Sequence, residues 1–191
     1  MSINILLTGR PGIGKTTIIR KFVRICPVSM GGFFTGEIRE HGMRAGFTIE
    51  AIRSWDQGAQ DNSEKKYQAV MAHVNSRSPY KVGRYGVNIS AIDEVGVTAL
   101  REGMKRSKII IIDEIGRMEM YSSLFQKEVE NVLDCSLPVL GVIQMKRNPF
   151  LNRIRKRDDV TVIQVTPDNR DELPKRLFDI FGMETGNQRY R

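Results

Sequence analysis

Gly9-Arg10-Pro11-Gly12-Ile13-Gly14-Lys15-Thr16 satisfies the pattern G-x-x-x-x-G-K-[ST], whose residue types suit the binding of a polyphosphate. Without side chains at Gly12 and Gly14, backbone N–H groups can close around phosphate oxygens as an anion nest. A helix that starts directly after the loop adds its unpaired N–H groups and the positive end of its dipole. Lys15 is then placed to reach the β- and γ-phosphates, and the Thr16 hydroxyl to ligate Mg²⁺, with Thr17 completing the predicted binding run.

A second pattern, Ile109-Ile110-Ile111-Ile112-Asp113-Glu114, sets two acids at the end of four β-branched apolar residues. This is the Walker B arrangement. Asp113 is expected to hold Mg²⁺ through a water, on the side opposite Thr16. Glu114, the next residue, is placed to orient and deprotonate an attacking water, so that a γ-phosphoryl group passes to water. Alone, an Asp-Glu pair reads as a solvated strand end; beside a phosphate loop it reads as catalytic.

Both motifs need a strand to carry them. Ile3, Ile5, Leu6 and Leu7 predict a buried strand leading into the loop, and Ile18, Ile19, Phe22 and Val23 give the helix behind it. The run at 109–112 suits a central parallel strand covered on both faces, whose C-terminal end is where α/β sheets place ligands. Phe33 to Arg39 and Ala45 to Arg53 flank a His41-Gly42 turn and predict a hairpin. Tyr67, Val70, Met71 and Val74 predict a helix over 62–75, and Ser90 is expected to cap another through about Met104. Ser123-x-x-Gln126 has capping-box spacing at the start of a helix to about Asp134. Leu137 to Ile143 and Val160 to Val165 predict two more buried strands, and Leu173, Leu177, Phe178 and Phe181 line a last helix. His41 and His73 read as turn and helix-surface residues, with no role as general bases.

At 191 residues, 40% hydrophobic and 27% charged, the chain suits one domain over 1–183 followed by a polar tail from Glu184 to Arg191. Cys26 and Cys135 offer no disulfide framework, which points to a reducing, cytoplasmic setting. The first strand begins almost at the N-terminus, so no secretory segment is expected, and no apolar run is long enough to span a membrane. No metal-binding Cys/His spacing and no repeat is present.

The net charge of +8 is partly local: Lys146, Arg147, Arg153, Arg155, Lys156 and Arg157 follow one another closely around an Asn148-Pro149 helix start. Three readings compete, namely a solvated helix face, an arginine-bearing lid over the nucleotide phosphates, and a polynucleotide-binding strip. For the lid, Arg155 and Arg157 are the candidate catalytic cations, with Arg117 as the alternative. The strip lacks stacking aromatics, since Phe150 is the only ring in the segment.

Five motifs appear in one order: Gly31-Gly32-Phe33-Phe34-Thr35, the run Lys81 to Asn88, Asp113-Glu114-Ile115-Gly116-Arg117-Met118-Glu119, Pro138 to Ile143, and Val165 to Asp171. Together they resemble the thermostable nucleoside-triphosphatase family, whose animal relatives are called cancer-related nucleoside-triphosphatases. The resemblance covers Ile3 to about Ile180. It implies a P-loop NTPase fold: a three-layer α/β sandwich, mostly parallel in its central sheet, with helices on both faces and an appended antiparallel hairpin. It also implies Mg²⁺-dependent hydrolysis of ATP, GTP, CTP and UTP alike, Gly9 to Thr16 binding phosphate, Asp113 serving the metal and Glu114 the water. Gly116 belongs to a family hallmark run, while Thr35 and Asn169 fall at or just past strand ends as site-lining candidates. Gly36 and Arg117 depart from the family's usual acid and lysine, and 54–79 reads as a helical insertion.

Rivals are a small-molecule or nucleotide kinase using the same loop, and a nucleotide-switched RNA-binding protein. No Asn-Lys-x-Asp motif supports a guanine-specific GTPase. A monomer is the expected state.

Overall fold

Alternate residues of the central apolar runs enter two different cores. Ile110 and Ile112 pack in one, Ile109 and Ile111 in the other; Leu6 is parted from Ile5 and Leu7 in the same way. A strand that alternates sides and is apolar on both must be sandwiched, and these strands lie in a sheet covered on both faces.

The computed structural model describes residues 3–53 and 67–182. Among them, nine strands form one sheet in the order β5-β6-β4-β3-β2-β7-β8-β1-β9. The strands are β1 (Asn4–Thr8), β2 (Met30–Glu40), β3 (Met43–Arg53), β4 (Gln68–His73), β5 (Lys81–Val82), β6 (Tyr85–Val87), β7 (Ile109–Ile115), β8 (Val139–Ile143) and β9 (Val160–Gln164). Parallel pairing runs through β2, β7, β8, β1 and β9. From β2 outward the pairing turns antiparallel, so that β3, β4, β6 and β5 form an arm on one edge.

Helices α1 (Lys15–Ile25) and α6 (Leu173–Ile180) cover one face, burying Ile18, Ile19 and Phe22 with Leu173, Leu177 and Phe178. The opposite face carries α2 (Ile89–Ala91), which runs through a π-helical stretch Ile92–Val97 into α3 (Thr98–Arg106). Helices α4 (Ser123–Asp134) and α5 (Pro149–Arg155) lie on that same face. The hairpin predicted around His41-Gly42 is present as β2 and β3, and its first strand is also a member of the parallel sheet.

Four expectations are corrected. Residues 68–73, read as part of a helix, form β4, because pairing with β3 from Gly46 opposite His73 to Glu50 opposite Gln68 overrides the local apolar spacing. Burial changes from residue to residue and breaks step at the register shift beside Phe47: Val70 is 47% exposed, Met71 2% and Ala72 1%. The helix before β7 is capped by Asn88, whose side chain accepts the Ala91 N–H, in place of Ser90. Helix α4 is capped one residue early by Ser122, which accepts the Phe125 N–H, and Gln126 donates to the Met120 carbonyl instead of closing a box. Strand β9 is a half-buried edge, whereas β8 is buried throughout. The first part of the predicted insertion, 54–66, and the tail 184–191 lie outside the described residues.

Candidate functional site

The C-terminal ends of β1, β7 and β8 open onto one cleft of about 690 Å³. Thr8 ends β1, and the chain wraps through Gly9 to Gly14 into α1. Gly14 caps that helix at φ 108°, a left-handed conformation costly for any residue with a Cβ, and it leaves the first-turn N–H groups uncapped by any side chain. Gly9, Pro11, Gly12, Gly14, Lys15, Thr16 and Thr17 line the cleft. Ile13 packs into the α1 core, and the Arg10 carbonyl accepts the Ile13 N–H. The Lys15 ammonium crosses the loop mouth, donating to the carbonyls of Gly9 at 3.1 Å and Arg10 at 3.3 Å. Arg20, four residues beyond Thr16 on the same helix, also lines the cleft, its guanidinium 4.1 Å from the centre of the Phe34 ring.

Asp113 is 1% exposed at the end of β7. Its Oδ1 accepts from the Thr16 hydroxyl at 3.1 Å, and its Oδ2 is buried without a hydrogen-bond partner. Burial pushes its pKa up to about 7, against the Thr16 hydrogen bond and the cations of Arg20 and Lys15. A buried oxygen lacking a partner beside a hydroxyl is the hard-oxygen set that Mg²⁺ takes, since that ion binds through one or two carboxylates and completes its shell with phosphates and water. Among the described residues no cluster of three His, Cys, Asp or Glu side chains could enclose a metal alone.

Glu114, the next residue, faces the cleft. Gln144, immediately after β8, donates its side-chain N–H to Glu114 Oε1 at 3.0 Å and accepts the Arg117 backbone N–H at 3.3 Å. The Gln144 backbone N–H is itself donated to the Ile115 carbonyl. Burial raises the Glu114 pKa, while the Lys15 ammonium and the Gln144 amide pull it back. Gly116 makes room for this carboxylate: a Cβ there would lie 2.8 Å from Glu114 Oε1 and 3.0 Å from Glu119 Oε2. Glu119, 2% exposed, accepts the Gly116 N–H at 3.0 Å, and burial together with the nearby Glu114 charge raises it to about 8. The run from Gly116 to Glu119 thus folds into a buttress behind the Glu114 carboxylate.

The cleft continues past Glu114 onto the arm, where Thr35, Gly36, Glu37, Arg44, Phe47, Met71 and Val82 line it. Of the basic residues in 146–157, Lys146 lines the cleft, as do Met145 and Arg117. Arg155 stays outside: its guanidinium donates to the carbonyls of Gln144 and Lys146 and to Asn152 Oδ1, fastening the loop that bears Gln144. Arg157 is corrected as a candidate finger. It pairs with Asp134 at 2.6 Å and with Asp159 at 2.7 Å, and Asp159 also accepts from Asn4, the first residue of β1. That places Arg157 at the N-terminal edge of the sheet, opposite the phosphate loop. Asn169 is a fastener too, accepting the Thr166 N–H and donating to the Gln164 carbonyl, in the segment against which Gly9 packs at Val165. His41 sits in its turn at φ 48°, and His73 lies on β4, 3.3 Å from Glu40, instead of on a helix.

Sequence reasoning missed Gln144 and Arg20. Each left a signal: Gln144 is the first polar residue after a wholly buried strand, and Arg20 lies one helical turn past Thr16.

A family model described as NTPase matches residues 4–178. The nucleoside-triphosphatase THEP1 of Thermotoga petrophila is 38% identical over 182 residues, covering 95% of this chain and 94% of the relative. The nucleoside-triphosphatase THEP1 of Methanothermobacter thermautotrophicus is 37% identical, with 93% and 95% covered. Among solved structures, THEP1 from the hyperthermophile Aquifex aeolicus superposes with a TM-score of 0.78 at 30% identity, covering 93% of this chain and 98% of that one. A human cancer-related nucleoside triphosphatase superposes with a TM-score of 0.73 at 29% identity, covering 96% and 100%.

Proposed function

This chain belongs to the nucleoside-triphosphatase family, and from that premise we propose that it hydrolyses ATP, GTP, CTP and UTP to the diphosphate and phosphate with Mg²⁺. The single observation that carries the reading is Glu114, a carboxylate facing the cleft, aimed by Gln144 and backed by Gly116 and Glu119. A carboxylate whose pKa is raised by burial and whose direction is fixed suits the removal of a proton from water.

The loop's backbone N–H groups and the α1 N-terminus hold the phosphates, and Lys15 turns from the Gly9 and Arg10 carbonyls to the β- and γ-oxygens. Thr16 and Asp113 would hold Mg²⁺, which supplies charge neutralisation between the β- and γ-phosphates when bound. Glu114 orients the water and takes its proton. Arg20 and Lys146 add positive charge around the phosphates, and Arg155 acts indirectly, by fastening the Gln144 loop. No Asn-Lys-x-Asp guanine-reading motif is present in the sequence, which supports a site that is not restricted to guanine.

Among the described residues no helix is long and apolar enough to cross a membrane, and the two cysteines form no disulfide. The second feature supports the proposed place of action, the reducing cytoplasm. Phosphate release from each of the four triphosphates is the test. Comparable rates are expected, and a single accepted nucleotide would refute the broad specificity.

A further inference from the structure

The cleft is longer than hydrolysis requires. Sheet order places the phosphate loop, after β1, on one side of β8 and β7, and β2 with the arm of β3, β4, β6 and β5 on the other. Glu114 stands between them, at the end of β7. In phosphoryl transfer the attacking and leaving oxygens lie roughly in line through the γ-phosphorus. With the α- and β-phosphates in the loop, the nucleophile therefore arrives from the Glu114 side, which is the side of the arm.

The arm end of the cleft is built as a binding wall. Phe47 and Val82 are half-buried, Met71 is 2% exposed, and Met118 adds a further apolar surface. The Phe47 ring is held by Tyr85 at 5.2 Å between centroids, edge to face, and by the Arg44 guanidinium 5.5 Å from its centre. Arg44 is in turn paired with Glu37 at 2.5 Å, which leaves a carboxylate and a guanidinium together at the rim. Water needs no such surface. Three apolar side chains around a ring, with a polar rim and a general base at the inner end, form the pattern of a small-molecule site.

We propose that this arm-side lobe binds a neutral acceptor, a flat aromatic ring joined to a sugar that bears hydroxyl groups, which is the chemistry of a nucleoside. The inference rests on the hydrolase reading of the loop and Glu114. The ring lies against Phe47, Met71 and Val82, the rim pair of Glu37 and Arg44 receives polar groups, and one hydroxyl points at Glu114. Its oxygen forms a bond to the γ-phosphorus as the bond from that phosphorus to the β-bridging oxygen breaks. The hydroxyl proton passes to the Glu114 carboxylate, and the products are a nucleoside diphosphate and the phosphorylated acceptor. With the lobe empty, water takes the same position and phosphate is released. A neutral acceptor fits better than an anionic one, because Arg44 is already paired and a phosphate oxygen would need no base.

The test incubates the full chain with Mg²⁺ and ATP labelled at the γ-phosphate, together with adenosine, guanosine, cytidine, uridine or thymidine, and separates labelled nucleoside monophosphate from labelled phosphate. Val82→Trp, which fills the lobe, and Phe47→Ala, which removes its wall, are run beside the parent. The expected result is a labelled monophosphate from at least one nucleoside, reduced at least tenfold more than acceptor-free hydrolysis in both variants. Labelled phosphate alone from every mixture, with Glu114-dependent hydrolysis intact, overturns the lobe and leaves the hydrolase reading standing. A tenfold rise in KM for ATP in Val82→Trp would likewise overturn it, by placing the triphosphate's own base there. Loss of Glu114-dependent turnover in all conditions would instead sink the hydrolase reading itself.

Discussion

Gln144 holds Glu114: its side-chain N–H is 3.0 Å from Glu114 Oε1, and its own position is set by the backbone N–H of Arg117 and the carbonyl of Ile115. The Glu114 carboxylate of β7, the proposed base, is therefore oriented by the end of the neighbouring strand β8. That link yields the first prediction. Gln144→Ala should lower kcat by about 10- to 100-fold, the usual penalty for losing alignment of a reacting group, with the KM for ATP changed little. Gln144→Glu should not rescue it at a pH where the new side chain is ionised, since an ionised carboxylate cannot donate to Glu114. Steady-state kinetics check both, and a rise in KM at constant kcat would assign Gln144 to nucleotide binding.

Gly116 should be intolerant of even one carbon. The added Cβ of Gly116→Ala would meet Glu114 and Glu119 oxygens at 2.8 and 3.0 Å, so at least one carboxylate must move. The expected loss is about tenfold or more in kcat, with nucleotide affinity retained. Equilibrium binding of a non-hydrolysable triphosphate beside turnover separates the two effects, and unchanged turnover would contradict the buttress.

Arg157 should matter for stability and leave catalysis alone. Arg157→Ala removes pairs with Asp134 and Asp159 that are only partly shielded, at a cost of about 1 kcal/mol, with kcat unchanged. The hydrogen bond from Arg157 holds the Asp159 pKa below its ordinary 3.8. A depressed carboxylate stabilises the fold above its unfolded pKa and loses that contribution as pH falls through the folded value. The difference in thermal midpoint between variant and parent should accordingly be full near neutrality and shrink below about pH 4. A difference independent of pH would mean that the ion pairs do not cause it.

Divalent ions should be essential, with Asp113 setting the requirement. Chelation should stop phosphate release, and Mg²⁺ should restore it. Asp113→Asn should raise the Mg²⁺ concentration for half-maximal turnover about tenfold or more, because the buried oxygen without a partner then loses its charge. A titration of Mg²⁺ against rate decides this, and equal half-maximal concentrations would remove Asp113 from the metal site.

Much of this was legible in the residues, and the exceptions have physical causes. The loop from Gly9 to Thr16 and the run from Ile109 to Glu114 could be read because backbone wrapping and a doubly buried strand permit few residue types. Strand β4 could not: Tyr67, Val70, Met71 and Val74 have helical spacing by themselves, and pairing with β3 decided the outcome. The arginines misled for a related reason. Sequence shows the charge of Arg155 and Arg157 but hides their partners, which are loop carbonyls in one case and two aspartates at the far edge of the sheet in the other. Gln144 carried a faint signal, one polar residue after five buried ones, that acquires meaning only when β8 is seen beside β7.

The most direct test of Glu114 as the base is a single-turnover measurement of Glu114→Gln with Mg²⁺-ATP, paired with equilibrium binding of the same nucleotide. Because proton removal matters only when water attacks, the chemical step should fall by about 10²- to 10⁴-fold while affinity stays within a fewfold of the parent. Turnover at the parent's rate would contradict the mechanism.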